Sequence, residues 1–132
     1  MASIHKQVLI ASRPDSVWDA VRAVGAVHAR VAPGFLTGCR MEDAPLARVV
    51  TFANGLEARE LIVDVDDAAR RLVWSVVGGR MSHHNASMQI FAEGTGYSRV
   101  VWIADLLPNE LAPVIAGMIE QGLAAMKKTL EQ

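Results

Sequence analysis

The sequence has a single cysteine, Cys39, so no disulfide can form within the chain. This excludes the disulfide-stabilised scaffolds that are typical of small secreted domains. The first ten residues lack the apolar block of a signal peptide. No apolar run approaches the roughly 20 residues that a membrane-spanning helix needs. These absences predict a soluble, reduced, cytoplasmic protein that does not span a membrane.

Clustered charge of one sign is also missing. The 13 lysine and arginine residues nearly balance the 14 aspartate and glutamate residues, and the formal net charge is -1. The only adjacent basic pairs are Arg70–Arg71 and Lys127–Lys128, and neither has aromatic residues interleaved with it. A nucleic-acid-binding surface needs a concentrated basic patch. The sequence therefore predicts no nucleic-acid partner.

Motifs for metal, phosphate or nucleophilic chemistry are absent as well. The four histidines and the lone cysteine stand at unrelated spacings. The adjacent His83 and His84 would point to opposite faces of a strand, so they cannot readily chelate one ion. No phosphate-binding glycine loop or nucleophile elbow occurs. The sequence thus predicts neither a metal site nor a bound cofactor.

Aliphatic residues dominate what is present. The chain is 52 % hydrophobic, yet only 5 % of it is aromatic. Its 132 residues fit one domain, and a globule of this size buries roughly two-thirds of its unfolded surface. We therefore expect a single domain over residues 1–132, with one core and room for one internal cavity.

The hydrophobic period divides the chain into three regions. A strand and two short helical segments come first, a region of period two follows, and a long amphipathic stretch ends the chain. The predicted strands are 3–11, 35–42, 47–53, 56–65, 71–78, 83–93 and 97–107, and the predicted helices are 14–23, 26–32 and 109–130. Short links between consecutive strands require antiparallel pairing. The predicted fold class is α+β, in the order β-αα-β6-α, with a seven-stranded antiparallel sheet curled around the C-terminal helix.

Strand alternation assigns side chains to the inner face of this sheet. In the last three strands the even-numbered residues are the more apolar set, so they face the interior. Within this set, the large Trp74, Met88 and Trp102 alternate with the small Ala86 and Ala104. Small residues beside adaptable methionines are what a cavity lining contains. The alternative is an ordinary core with tight helix–sheet packing at the small residues.

Two polar residues are candidates for chemistry. His84 has the inward parity, so it can bond a ligand or carry a proton at the mouth of a cavity. The alternative is a rim histidine that water or backbone satisfies. For Glu60, simple alternation places Leu61, Val63 and Val65 inside and the carboxylate outside. A β-bulge would reverse this and make Glu60 a polar anchor or a general base.

Four segments in their order along the chain carry a family resemblance. They are Ala11–Trp18, Glu60–Asp66, Arg71–Trp74 and Ser98–Trp102 before Pro108. Together with the element order, they resemble the START-like, helix-grip superfamily (SRPBCC), and most closely its polyketide cyclase/dehydrase-type branch. Val76–Gly79 with Asn85 is also similar to the plant abscisic-acid receptors. However, Glu57 replaces the proline of the receptor gate and Ala86 replaces an inward aromatic residue, so hormone sensing is not expected.

The resemblance implies a hydrophobic cavity between the sheet and the C-terminal helix. It places Glu60 on the inner face, against simple alternation, and Leu56 in a loop that gates the cavity. Together with the strand parities and the helical spacing, it predicts a set of ligand-binding residues. They are Leu56, Glu60, Trp74, Val76, His84, Ala86, Met88, Trp102, Ile115, Met118, Ile119 and Gly122. Only Glu60 and His84 are candidates for a catalytic role.

Three functions fit these expectations. The favoured hypothesis is the binding of a small apolar molecule, such as a lipid, a polyketide or an aromatic metabolite. The second is a cyclase, dehydratase or isomerase in which Glu60 or His84 performs acid–base catalysis. The third is a protein-interaction module, as in co-chaperones of this fold, which predicts an exposed apolar patch in place of a cavity. The sequence leaves the oligomeric state open, and a homodimer is among the alternatives.

Overall fold

The structure is a computed structural model that describes residues 1–132. Its strands are β1 (Ala2–Ile10), β2 (Leu36–Asp43), β3 (Leu46–Phe52), β4 (Glu57–Asp66), β5 (Arg71–Val77), β6 (His83–Ala92) and β7 (Ser98–Leu107). Its α-helices are α1 (Pro14–Arg22), α2 (Val27–Arg30) and α3 (Ala112–Leu130). Short 3-10 helices, Val24–Ala26 and Asn109–Leu111, precede α2 and α3. The predicted α+β class and element order are confirmed.

All seven strands belong to one antiparallel sheet. Its order is β1-β7-β6-β5-β4-β3-β2, so each strand from β2 to β7 pairs with its sequence neighbour and β1 joins β7. Strands β1 and β2 form the two edges, so the sheet is open. Helix α3 packs on its inner face, where Ile119, Leu123 and Met126 are buried in the common core. This is the predicted helix-grip arrangement.

Helix α3 is attached to the sheet most firmly at its C-terminal end. Lys127 Nζ donates to the carbonyl oxygen of Leu9 at 2.8 Å, and Glu131 accepts the backbone N–H of Ala11 at 2.8 Å. The two side chains also form an ion pair with each other. Near the N-terminal end of α3 fewer side chains are buried against the rest of the protein, and Val114 is exposed to solvent. No helix of the structure is both long and apolar enough to cross a membrane.

A β-bulge in β4 decides which side chains of that strand face the interior. The register with β5 shifts between Ile62 and Asp64, which leaves Val63 as the extra residue. Ile62 pairs with the inward Trp74, so it faces the core, whereas Val63 is 58 % exposed. One extra residue reverses the phase of alternation along a strand.

The bulge settles the conflict between the two predictions for β4. Glu60 pairs with Val76 on the inner face and is only 9 % exposed. The orientation that the family resemblance implies for Glu60 is therefore confirmed. Simple alternation is right for Val65, which packs against the core beyond the bulge. It is wrong for Glu60, Leu61 and Val63, because it assumes a regular strand.

Candidate functional site: an apolar pocket crossed by a polar row

A pocket of about 760 Å³ lies between the inner face of the sheet and α3. Of the 33 residues that line it, 23 are hydrophobic. Both the volume and the apolar lining fall within the ordinary range of small-molecule sites. The pocket opens to solvent beside Leu56 and Val114, two apolar lining residues that are 66 % and 61 % exposed.

The turn between β3 and β4 holds Leu56 at this opening. Gly55 has a φ of +88°, in the left-handed region that glycine adopts without steric cost. Asn54 Oδ1 accepts the backbone N–H of Leu56 at 3.0 Å, which closes the turn. The Asn-Gly turn thus places an exposed leucine beside the pocket.

Eleven of the twelve residues predicted to bind a ligand line the pocket. They are Leu56, Glu60, Trp74, Val76, His84, Met88, Trp102, Ile115, Met118, Ile119 and Gly122. The exception is Ala86, which is 2 % exposed and lies between its cross-strand partners Trp74 and Ala104. Its methyl group is too short to reach the pocket beside the large ring of Trp74. Ligand binding by the other eleven stays a prediction.

Aromatic rings form part of the pocket wall. The rings of Trp74 and Trp102 meet edge to face with centroids 5.7 Å apart, and those of Phe35 and Phe52 do so at 5.5 Å. Gly122 of α3 allows the rings to approach the helix, since a β-carbon there would lie 3.0 Å from Trp102 Cζ3 and 3.3 Å from Phe35 Cε2. Sequence reasoning missed both phenylalanines as lining residues, because it placed them in the predicted strands 35–42 and 47–53 but assigned no inner face to either strand.

Arg48 is the most important lining residue that the sequence did not indicate. Its Nε donates to Glu60 Oε1 at 2.7 Å and its Nη1 donates to the carbonyl oxygen of Val24 at 3.2 Å. Its guanidinium also lies 5.5 Å from the centroid of the Trp74 ring. In the sequence, Arg48 stands in the apolar stretch LARVVTF. A lone charge among buried residues was the only signal that could have revealed it.

Three polar side chains of the pocket, those of Arg48, Glu60 and His84, lie along one row across the sheet. Arg48 is paired with Glu60, and Glu60 with Val76. One step beyond the pair Ser75–Asn85, the same register places His84 beside Val76. We call these three residues, together with Val76, which lies between Glu60 and His84, the polar row. Because neighbouring strands lie about 4.8 Å apart, the backbones of Glu60 and His84 are separated by roughly 10 Å.

Two buried nitrogen atoms of the pocket residues have no hydrogen-bond partner. They are His84 Nδ1 and Trp102 Nε1. Burial lowers the pKa of His84, and the neighbouring His83 lowers it further. The imidazole is therefore neutral at neutral pH, with one ring nitrogen that accepts a hydrogen bond and one N–H group that donates a hydrogen bond. Both of these atoms are sealed by their surroundings, so a ligand in the pocket does not reach them. The other ring nitrogen of His84, Nε2, is not sealed and makes no hydrogen bond within the protein, so it is the atom of His84 to which a polar group of a ligand would bind.

Comparison with known proteins identifies the family. A sequence model for the family described as "Polyketide cyclase / dehydrase and lipid transport" matches residues 1–131. No curated protein is significantly similar to the chain.

Solved structures share the fold at low sequence identity. An uncharacterised protein from Bacillus thuringiensis has a TM-score of 0.88 at 14 % identity, over 99 % of this chain and 100 % of its own. The di-domain ARO/CYC BexL of the BE-7585A biosynthetic pathway has a TM-score of 0.82 at 17 % identity, over 99 % of this chain and 47 % of its own. Norcoclaurine synthase from Thalictrum flavum has a TM-score of 0.73 at 17 % identity, over 98 % and 91 %. With the family model matching nearly its whole length, the chain belongs to the polyketide cyclase/dehydrase and lipid transport family.

Proposed function

We propose that the protein binds a small, largely apolar molecule in the pocket between the sheet and α3. The observation that carries this proposal is the pocket itself, with its volume of about 760 Å³ and its predominantly apolar lining. Burial of ligand surface there would contribute about 25 cal/mol per Å² of apolar area. The free energy of binding would be smaller than this contribution from burial, because association also costs translational and conformational freedom.

The lining suits ligands that contain rings or flexible chains. Four methionines contribute to it, namely Met81, Met88, Met118 and Met126. Methionine has an unbranched and polarisable side chain that adapts to irregular shapes. Norcoclaurine synthase, which shares the fold, has been solved in complex with dopamine and hydroxybenzaldehyde. A lipid, a polyketide or an aromatic metabolite is the ligand class that we propose for this chain.

A bulky side chain at Val76 is expected to block ligand binding. Val76 lies in the polar row between Glu60 and His84, so Val76→Trp would extend an indole into the middle of the pocket. The probe is the uncharged dye N-phenyl-1-naphthylamine, whose fluorescence rises in apolar surroundings. We expect saturable 1:1 binding to the native protein and at least about tenfold weaker binding to Val76→Trp, a loss of about 1.4 kcal/mol.

Val63→Trp is the matched control for this experiment. It makes the same substitution on the outer face of β4, where Val63 is exposed and does not line the pocket. Its dye affinity should equal that of the native protein. Equal affinity of all three proteins would place the dye outside the pocket and contradict the proposal, as would an absence of saturable binding to the native protein.

A second candidate function is proton transfer on a bound carbonyl compound. The observation that favours it is His84, which is neutral and lines the pocket, and whose Nε2 is neither sealed nor hydrogen-bonded within the protein. That nitrogen would take a proton from the carbon next to a carbonyl group. The electron pair of the C–H bond would form a C=C bond, and the π pair of the carbonyl group would move onto its oxygen. Transfer of this proton from the imidazolium to the oxygen completes an enolisation, the step on which cyclisation and dehydration of polyketide-like chains depend.

Isotope exchange tests this second candidate. In D₂O, the protein is expected to speed the exchange of the α-protons of 2-tetralone, followed by NMR, by roughly 10²-fold or more over buffer. The rate should fall as the pH drops through the lowered pKa of His84, because the protonated imidazole cannot accept a proton. His84→Gln should abolish the acceleration and still bind the dye. An acceleration that survives this substitution would remove His84 from the reaction.

A further inference from the structure

The buried ion pair of the polar row is joined at only one point. Arg48 Nε binds Glu60 Oε1, and Arg48 Nη1 binds the carbonyl oxygen of Val24. On a guanidinium group, Nε and Nη2 donate along the same edge, so arginine and a carboxylate often form two parallel hydrogen bonds. Here the second bond, from Nη2 to Glu60 Oε2, is not formed.

This missing bond leaves a donor and an acceptor beside each other in the pocket. Arg48 Nη2 and Glu60 Oε2 have no hydrogen-bond partner, and neither belongs to the side-chain atoms that are completely sealed. Both residues line the pocket, and they are only 4 % and 9 % exposed. Because buried donors and acceptors are seldom left unpaired, a polar group of the ligand is expected at this position.

The charges of the lining sum to zero. Arg48 and Glu60 form an ion pair inside the pocket, and the two other charged residues of the lining, Arg80 and Glu57, carry opposite charges. His84 adds no charge at neutral pH, because burial lowers its pKa. An anionic ligand would therefore bring an uncompensated charge into an apolar site, beside the carboxylate of Glu60. Burial of an unpaired charge is strongly unfavourable.

We infer, on the basis of the binding function proposed above, that the pocket selects an uncharged ligand with a hydroxyl group that donates to Glu60 Oε2 and accepts from Arg48 Nη2. A phenol, an enol or an alcohol has both capacities in one oxygen. A carboxylate has no proton to donate and is repelled by Glu60. A purely apolar ligand leaves both protein atoms unpaired. The ion pair is thus the specificity-determining element of the pocket.

Three naphthalene probes of similar shape test the inference. They are 2-naphthol, 2-methylnaphthalene and 2-naphthoate, measured at neutral pH by displacement of N-phenyl-1-naphthylamine. A hydrogen bond to a charged group contributes enough that we expect 2-naphthol to bind about tenfold or more tightly than 2-methylnaphthalene. The carboxylate of 2-naphthoate should make it the weakest of the three.

Glu60→Gln should invert the charge preference. The amide oxygen can still accept from Arg48 Nε, but the pair then carries a net positive charge. The affinity for 2-naphthoate should rise about tenfold or more relative to that for 2-naphthol. A merely structural role for Glu60 would change the affinity of all probes alike.

The double variant Arg48→Met/Glu60→Met guards against loss of folding, because an apolar replacement of a whole buried ion pair is often tolerated. It should bind 2-naphthol and 2-methylnaphthalene with equal affinity.

The outcomes separate the inference from the function on which it rests. If the native protein binds 2-methylnaphthalene as tightly as 2-naphthol, or 2-naphthoate most tightly, the inference is overturned and the binding function stands. If the preference for 2-naphthol persists in the double variant, the hydroxyl group binds elsewhere and the inference is also overturned. If neither the dye nor any probe binds the native protein, both proposals fail.

Discussion

Arg48→Met is expected to lower the free energy of unfolding by about 3–5 kcal/mol, the usual cost of leaving one partner of a buried ion pair alone. In this variant the carboxylate of Glu60 loses the hydrogen bond at 2.7 Å from Arg48 Nε while it stays buried. The carbonyl oxygen of Val24 loses its hydrogen bond from Arg48 as well. Urea unfolding at neutral pH, followed by circular dichroism, measures the change.

Two further variants show whether the loss of stability in Arg48→Met arises from the unpaired charge of Glu60. Arg40→Met makes the same substitution at an exposed arginine whose carboxylate contacts are 3.8 Å and 3.9 Å long, so its effect should stay within about 0.5 kcal/mol. Arg48→Met/Glu60→Met removes both charges and should recover most of the lost stability. If the double variant were as unstable as Arg48→Met, lost packing of the arginine would be the cause instead.

Gly122→Leu is expected to destabilise the protein by about 1–3 kcal/mol, the usual cost of overpacking a core. A β-carbon added at this position would lie only 3.0 Å from Trp102 Cζ3 and 3.3 Å from Phe35 Cε2, so a leucine side chain must push both rings away from α3. Because the rings line the pocket, the variant should also bind N-phenyl-1-naphthylamine more weakly than the native protein. Thermal unfolding and the dye titration measure the two effects.

Gly117→Leu provides the matched control on the same helix. No atom lies within 4 Å of the position that its β-carbon would occupy. The higher helix propensity of leucine should stabilise α3 by about 0.5–1 kcal/mol, with dye binding unchanged. Stabilisation by both substitutions would show that the rings yield without cost and that Gly122 is not required for the packing of α3.

The pattern of polar and apolar residues was sufficient to locate most of the candidate site. In β5, β6 and β7 the two parities differ clearly in polarity, so Trp74, Met88 and Trp102 could be placed on the inner face. The helical spacing of Ile115, Met118 and Ile119 likewise predicted the stripe of α3 that lines the pocket. In both cases the information is local, because the period of a strand or a helix shows within about ten residues.

The pattern failed where both faces of a strand are covered. In β3, the neighbours Arg48, Val49 and Val50 are all buried, so alternation there has no contrast from which to choose a face. The bulge at Val63 has no clear signature in the polarity of β4 either, because Leu61, Ile62 and Val63 are all apolar and alternation among them cannot choose a face. Only the family resemblance indicated that Glu60 faces inward, and nothing indicated that Arg48 would be its partner.

The sequence by itself determined the class of the fold, the order of its elements and the inner faces of β5–β7 and α3, since these follow from local periodicity. Tertiary structure alone decided that the carboxylate of Glu60 is buried, that it binds Arg48 through one oxygen, and that Ala86 is kept from the pocket. These features depend on strand register and on the summed volumes of side chains from distant segments. A two-residue period contains no information about either quantity.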